Sequence, residues 1–329
     1  MSAKSGPFVI GDIVQLTDPK GRHHTIILEP GQRFHTHKGS LAHDDMIGRD
    51  DGSVITTDKD VDYVALRPRL ADFVLSMPRG AAIIYPKDAA DIIHRADIGP
   101  GHRVVEAGVG SGALTLWLLR SLAPNGELVS IERRQEFGDV ASANVHTYYG
   151  DTTPAPWSLE VGDFVDVAAG MEPMSVDRVV LDMLAPWECV EASCTILRPG
   201  GILIAYVATV TQLSRFVEAI RDTGRFTQPE SSETLVRTWH VDGLAVRPDH
   251  RMIGHTAFLV WARIFAPGSH PPRAMTKKAK PDYSDEDVEA WTPGAVGFRE
   301  ETAKKMRDLV KDAQSRRTRT HTGDDPVST

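Results

Sequence analysis

The run Glu106-Ala-Gly-Val-Gly-Ser-Gly112 constrains the fold of this chain more than any other seven residues. Arg103-Val-Val105 precedes it, and an apolar segment, Ala113-Leu-Thr-Leu-Trp-Leu-Leu119, follows. A strand, a glycine turn and a helix in that order make a nucleotide-handling βα unit. By spacing alone, Gly108, Gly110 and Ala113 also satisfy the dinucleotide fingerprint, whose last position allows alanine. Glu106 argues against that reading. A dinucleotide sets an anionic pyrophosphate at the helix N-terminus, where amides and dipole attract it. A carboxylate two residues before the first glycine repels phosphate and attracts a cation. S-adenosylmethionine carries no phosphate but a sulfonium and an ammonium group, so the turn reads as a methyl-donor site.

Around this unit the chain alternates. From Gly101 to about Asp222 the pattern predicts an open α/β sheet, with strands near 103–106, 127–131, 157–161, 177–182 and 202–207. Arg198-Pro-Gly-Gly201 is expected to turn before the fifth strand. Two further β-like runs, Thr234–Val246 and His255–Phe265, have no helix between them and are expected to pair antiparallel. Residues 1–70 read as a small β-rich domain. There, short runs such as Phe8-Val-Ile10, Ile13-Val14, Thr25–Leu28 and Ser53–Thr56 alternate with glycine turns. Ala71–Lys87 reads as a connector into a helix at Asp88–Ala96. The donor-binding domain then occupies 71–267, and 268–329 forms a polar tail.

The tail holds 12 Lys+Arg and 11 Asp+Glu, and its stretch Arg299–Arg319 holds eight basic and four acidic residues. A basic helix is compatible with that stretch, but low hydrophobicity makes disorder the expectation. The whole chain, 329 residues with net charge -8, is acidic for a nucleic-acid binder. A cleft can still concentrate arginine and lysine, because the local field outweighs the sum. No run approaches the ~18 apolar residues of a membrane span, and the N-terminus has no secretion-signal core. Cys189 and Cys194 are the only cysteines, too few for a disulfide framework, so a cytoplasmic protein is expected.

Ligands of an open parallel sheet sit beyond the carboxyl ends of its strands. Four acidic residues fall at such ends. Glu106 is placed to meet the donor's cationic portion, and Glu132 its ribose hydroxyls. Asp163 is placed to meet the adenine amino group, and Asp182 faces the substrate side. Gly108, Gly110 and Gly112 allow close backbone approach. Ser111, Ala113 and Leu114 supply amides at the helix start. Phe137 is a candidate to pack on adenine, with plain core packing equally open. For an acceptor such as adenine N1, whose lone pair is free at neutral pH, orientation supplies much of the rate. Asp182 would bind the exocyclic amine and stabilise the growing positive charge. Pro186 and Trp187 suit a lip beside it, and Tyr85 and Tyr206 are candidate walls for an unstacked base. His35, His37, His43, Asp44 and Asp45 suggest metal ligands by type, but they lie in the small β domain, and turn and packing roles are preferred.

These residues sit in longer motifs. Thr17-Asp-Pro-Lys-Gly-Arg22, Phe34-His-Thr-His-Lys-Gly39, Met77-Pro-Arg-Gly80, Ile84-Tyr-Pro-Lys-Asp88, Glu106–Gly112, Leu181–Trp187 and Gly254-His-Thr-Ala-Phe258 occur in this order. From about Phe8 to Phe265 the chain closely resembles the tRNA (adenine-58-N1)-methyltransferases. The resemblance implies a Rossmann-like class I methyltransferase sheet, S-adenosylmethionine as cofactor, tRNA as substrate and a homotetramer. It implies donor contacts at Glu106, Ser111 to Leu114, Glu132, Phe137 and Asp163. It further implies a catalytic role for Asp182, which also borders the donor, and active-site roles for Tyr85 and Tyr206. Some relatives methylate adenine 57 as well as 58, and that choice stays open. One departure stands out: where many members have Tyr-x-Pro-Asn, this chain has Tyr206-Val-Ala208-Thr209. Arg67, Arg69, Arg79, Lys87, Arg237, Arg247 and Arg251 are candidates for a basic cleft. Methylation of a protein or small molecule, a non-catalytic RNA-binding subunit and, more distantly, a dehydrogenase are the rival readings.

Overall fold

The computed structural model describes residues 5–80, 82–269 and 303–321, the last segment with side chains at 304–317. Its N-terminal part is β1 (Ile13–Thr17), β2 (His23–Ile27), β3 (Arg33–Thr36), β4 (Gly39–Ala42), β5 (Val54–Thr56) and β6 (Asp62–Leu66). The order β2-β1-β6-β5 makes one antiparallel sheet, and β3-β4 a separate ribbon. Period-two patterning drives this: Val14, Leu16, Tyr63 and Ala65 point inward with Phe8 and Leu28 into a core of their own. Phe8-Val-Ile10 forms no strand; Phe8 is a buried plug with the Arg67 guanidinium 4.8 Å from its ring centre. Two of the recurring motifs meet here. Asp18 accepts from Arg22 Nη2 at 2.7 Å and from Lys38 Nζ at 3.3 Å, and the Arg22 bond leads in holding its pKa well below the usual carboxylate range.

Two helices follow, α1 (Leu70–Ser76) and α2 (Pro86–Arg95), the latter with proline in its first turn, where a missing N–H costs nothing. The main sheet then uses β7 (Arg103–Ala107), β8 (Glu127–Glu132), β9 (Trp157–Val161), β10 (Val176–Asp182), β11 (Leu197–Val207), β12 (Glu230–Ser232) and, after a separate hairpin, a last strand at Phe258–Arg263. That hairpin is β13 (Trp239–Asp242) with β14 (Ala245–Pro248), which makes the last strand β15. Along the sheet the order is β12-β15-β11-β10-β7-β8-β9, with β15 antiparallel to both its neighbours. Val104, Val180, Leu203 and Ile204 are apolar without alternation because helices cover both faces. One face packs α1, α2 and α3 (Ala113–Leu122); the other packs α5 (Phe164–Ala169), α6 (Val190–Ile196) and α7 (Val210–Asp222). Between α3 and α5 in the chain, α4 (Gln135–Tyr149) bridges β8 to β9.

Three expectations need correction. Arg198–Gly201 does not precede the fifth strand but lies within β11, as a bulge between the pairs Val176–Leu197 and Arg178–Ile202, with Gly200 at φ 80°. Thr234–Val246 does not pair with His255–Phe265 as a ladder. Gly243, at φ 53° and first in a two-residue loop, folds β13 onto β14 locally, and β15 takes β11 and β12 instead. Part of the tail expected to be disordered is helical: α8 (Ala303–His321) lies along α4. Its Met306, Leu309, Val310 and Ala313 recur at helical spacing, and Ala313 is buried against Val140 and Ala143. The other tail residues lie outside the described ones.

Candidate active site

The strand order reverses between β7 and β10, the place where an open α/β sheet forms its ligand crevice. Gly108, Gly110 and Gly112 all adopt left-handed φ, of 87°, 56° and 81°. Each has a different reason. A β-carbon at 108 would collide with the Asp182 backbone, and one at 112 would press on Ala141 at 3.2 Å. At 110 it would meet nothing within 4 Å, so this residue borders open space. The first-turn amides of α3, Ala113 and Leu114 included, have no partner within the helix by geometry. The Ser111 hydroxyl is buried and has no hydrogen-bond partner among the described residues. Asn144 on α4 ties the turn down, its amide donating to the carbonyls of Ser111 and Pro78 at 2.9 Å each.

The strand-end carboxylates divide by environment. Glu106 is fully buried, and its Oε2 accepts from Thr115 at 2.8 Å and Ser130 at 2.9 Å. Burial outweighs those two bonds and pushes its pKa up to about 7. Glu132 accepts from the Gly110 amide at 3.0 Å and the Arg134 amide at 3.1 Å, so it braces the turn from the next strand. Asp163 caps α5 through the Val165 amide at 2.9 Å and meets Arg133 at 2.6 Å on the surface. Asp182 is half-buried at the crevice, and no described residue donates a hydrogen bond to its side chain. Burial, with the Glu132 charge second, raises its pKa to about 7.

Across from Asp182 in register stands Tyr206 on β11. Its phenol lies near Asp88, Thr256, Asp182 and Tyr85, and burial raises its pKa. Tyr85 caps the start of α2 and is half-buried. Beside them lies a group that the sequence reading did not assemble. Lys87, a candidate for a basic cleft, is instead 6% exposed and bound to Asp88 at 2.6 Å and to Thr256 at 2.6 Å. Both residues stand in quoted motifs, which was the only signal available. The Ala208-Thr209 departure is also accounted for here. His255 bonds the Ala208 carbonyl at 3.0 Å and Glu233 at 3.0 Å, and these bonds raise its pKa. Thr209 then caps α7 in a capping box with Gln212.

Other sequence candidates go elsewhere. Phe137 is buried at the base of α4 with the Arg134 guanidinium 3.8 Å from its ring centre. Pro186 opens a 3-10 turn at Pro186–Cys189, and Arg215 covers the Trp187 ring at 4.0 Å. Arg67 is committed to Asp12 at 2.8 Å, and Arg69 to Asp72 at 2.8 Å. Arg79, Arg237, Arg247 and Arg251 are exposed. His43 is buried and accepts from the Glu29 amide at 3.1 Å. Among the described residues no three His, Cys, Asp or Glu side chains gather as metal ligands. Cys189 and Cys194 are buried thiols, each pushed up to about 12 by burial. No helix among the described residues is long and apolar enough to cross a membrane.

The residues present fit a cationic methyl donor. Three buried or half-buried carboxylates converge on one crevice, the Ser111 hydroxyl is orphaned, and open space adjoins Gly110. An anionic pyrophosphate would face Glu106, Glu132 and Asp182 together, and repulsion in so desolvated a place is costly.

Comparison with known proteins agrees. The family profile described as TrmI-like N-terminal matches residues 6–55, and that of the tRNA methyltransferase complex GCD14 subunit matches residues 63–247. A tRNA (adenine(58)-N(1))-methyltransferase TrmI from Thermus thermophilus is 34% identical over 253 residues, spanning 75% of this chain and 95% of the relative. A tRNA (adenine(57)-N(1)/adenine(58)-N(1))-methyltransferase from Methanocaldococcus jannaschii is 28% identical, spanning 80% of this chain and 96% of the relative. The solved tRNA (m1A58) methyltransferase TrmI from Aquifex aeolicus superposes with a TM-score of 0.68 and 27% identity, covering 79% of this chain and 100% of that one. A SAM-dependent O-methyltransferase from Thermotoga maritima gives a TM-score of 0.74 at 26% identity, covering 80% and 96%.

Proposed function

Because this chain belongs to the TrmI-like tRNA (adenine-N1)-methyltransferase family, we propose that it transfers a methyl group from S-adenosylmethionine to N1 of adenine 58 in the T-loop of tRNA. The observation that carries this reading is Asp182: a carboxylate with no hydrogen-bond donor among the described residues, held at the crevice against the glycine turn and opposite Tyr206.

When bound, S-adenosylmethionine supplies an electrophilic methyl group. The chain's own residues supply orientation and charge. Glu132 and the amides after Gly110 hold the adenosyl side, and the negative field of Glu106 and Glu132 favours the cationic donor. Asp182 accepts a hydrogen bond from the exocyclic amine of the target adenine, which aims N1 and offsets the positive charge the ring acquires. Tyr85 and Tyr206 wall the unstacked base and exclude water. No general base is needed, since N1 carries no proton.

The β13–β14 arm supports assembly. Trp239, Val241, Leu244 and Val246 are 56% to 104% exposed on a two-stranded hairpin, which alone is marginally stable. A second copy of this chain is the occupant we assign to that surface, as part of a homotetramer. The exposed Arg237, Arg247 and Arg251 on the same segment suit tRNA phosphates, so affinity for tRNA should fall steeply with salt.

The test is direct: incubate the protein with labelled donor and tRNA, then map the product by mass spectrometry of tRNA fragments. N1-methyladenosine at position 58 supports the proposal, and label at 57 as well extends it. Label on oxygen, on protein or on a small molecule, with none on adenine N1, overturns it.

A further inference from the structure

The buried group beside the crevice closes on itself. Lys87 Nζ donates to Asp88 Oδ1 at 2.6 Å and to Thr256 Oγ1 at 2.6 Å, and the Thr256 hydroxyl donates to Asp88 Oδ2 at 2.7 Å. Asp88 and Thr256 stand 168 residues apart in sequence. The Lys87 and Asp88 side chains are 6% and 2% exposed. The Asp88 amide donates to the Tyr85 carbonyl at 2.9 Å, so the same group holds the start of α2, which Tyr85 caps. Next to Thr256, His255 bonds the carbonyl of Ala208, two residues beyond Tyr206.

Stability does not explain such a group. Buried ion pairs are commonly replaced by apolar residues of similar volume with no loss of stability, because desolvation cancels their attraction. We propose that the Lys87–Asp88–Thr256 triangle is a positioning device for methyl transfer, pinning the start of α2, and with it Tyr85, against the segment that borders the end of β11 beside Tyr206. This rests on the functional reading above. In this role the three residues act through Tyr85 and the end of β11 rather than on the donor or the base directly.

Thr256→Val removes the hydroxyl and keeps the shape. The expected result is a kcat for tRNA methylation lower by roughly tenfold to a hundredfold, with donor Kd within about twofold and Thr256→Ser restoring most of the rate. The double variant K87M/D88L keeps an uncharged, filled site. It is expected to fold, with a thermal midpoint close to the parent's, and to be as slow as Thr256→Val. A normal kcat in either the folded Thr256→Val or the folded double variant overturns the proposal. If the unmodified protein itself leaves adenine N1 unmethylated in the same assay, the functional reading fails and carries this inference down with it.

Discussion

The backbone carbonyl oxygen of Asp182 lies 1.8 Å from the point where a β-carbon on residue 108 would sit. Gly108 thus fixes how closely the end of β10 approaches the glycine turn. Gly108→Ala must push the two apart. Gly101→Ala, at φ 86° before β7 and away from the crevice, meets no atom within 4 Å and carries only the left-handed backbone penalty of about 1–2 kcal/mol. Methyl transfer in Gly108→Ala is expected to drop about a hundredfold, since an ångström of misplacement suffices for that. Comparing kcat for the two folded variants checks it; equal rates would mean that the contact between turn and strand is irrelevant to turnover.

Asp182→Asn keeps the size of the side chain and removes the charge. Turnover should fall by about a hundredfold to a thousandfold, the scale of losing one transition-state contact. Donor affinity, measured by calorimetry, should stay within about tenfold. A variant of normal rate would take Asp182 out of the mechanism.

Activity should depend on pH near neutrality. Burial raises both Asp182 and Glu106 to about 7, and the two carboxylates interact. The carboxylate that accepts the amine must be ionised, so kcat/KM should rise as pH increases through about 7 and level off above it. The step belongs to the coupled group rather than to one residue. A flat profile from pH 6 to 8.5 would contradict this assignment.

Glu106 should stabilise the ligand-free protein only at low pH. Its pKa is raised from 4.5 to about 7 in the fold, so between those values the native state holds a proton that the unfolded chain has released. That contribution is complete below about 4.5 and is lost as pH rises through about 7. Glu106→Gln cannot lose the proton, and its amide oxygen can still accept from Thr115 and Ser130. At pH 8 the ligand-free variant should be more stable than the parent by about 1–3 kcal/mol in denaturant melts. Its donor affinity should be weaker, since the negative field is reduced. Equal stability at pH 8 would show that Glu106 is not held against its charge.

The packing of α8 on α4 can be tested as well. Ala313 is 1% exposed and packs on Val140 and Ala143. Ala313→Glu should release α8, which amide exchange would register as loss of protection over 304–317 without change in the central strands. Retained protection would mean that the seam does not hold it.

Patterns confined to a few neighbouring residues were legible in the sequence. The glycine turn, the five parallel strands and the carboxylates at their ends follow from period and spacing. What escaped depends on distance or dilution. Asp88 and Thr256 both stand within motifs, but their meeting requires β15 to lie beside β11, whereas the order of the β-like runs points to a hairpin with Thr234–Val246. The local signal for the observed pairing is Gly243, which opens a two-residue loop and closes β13 onto β14. The four apolar residues of α8 are outnumbered by charge, so average hydrophobicity concealed a seam that spacing reveals. Lys87 read as a surface cation because burial of a lysine is rare unless it is paired.

The arm leaves the sheet after Ser232 and rejoins it just before Phe258. At its two roots, Glu233 grips His255, and Thr234 holds Asp91 on α2 at 3.0 Å. His255 in turn clasps Ala208, and the next residue, Thr256, completes the ring around Lys87. The arm is therefore a lever whose short end is the crevice, and a force applied at its tip reaches Lys87 through two hydrogen-bonded roots.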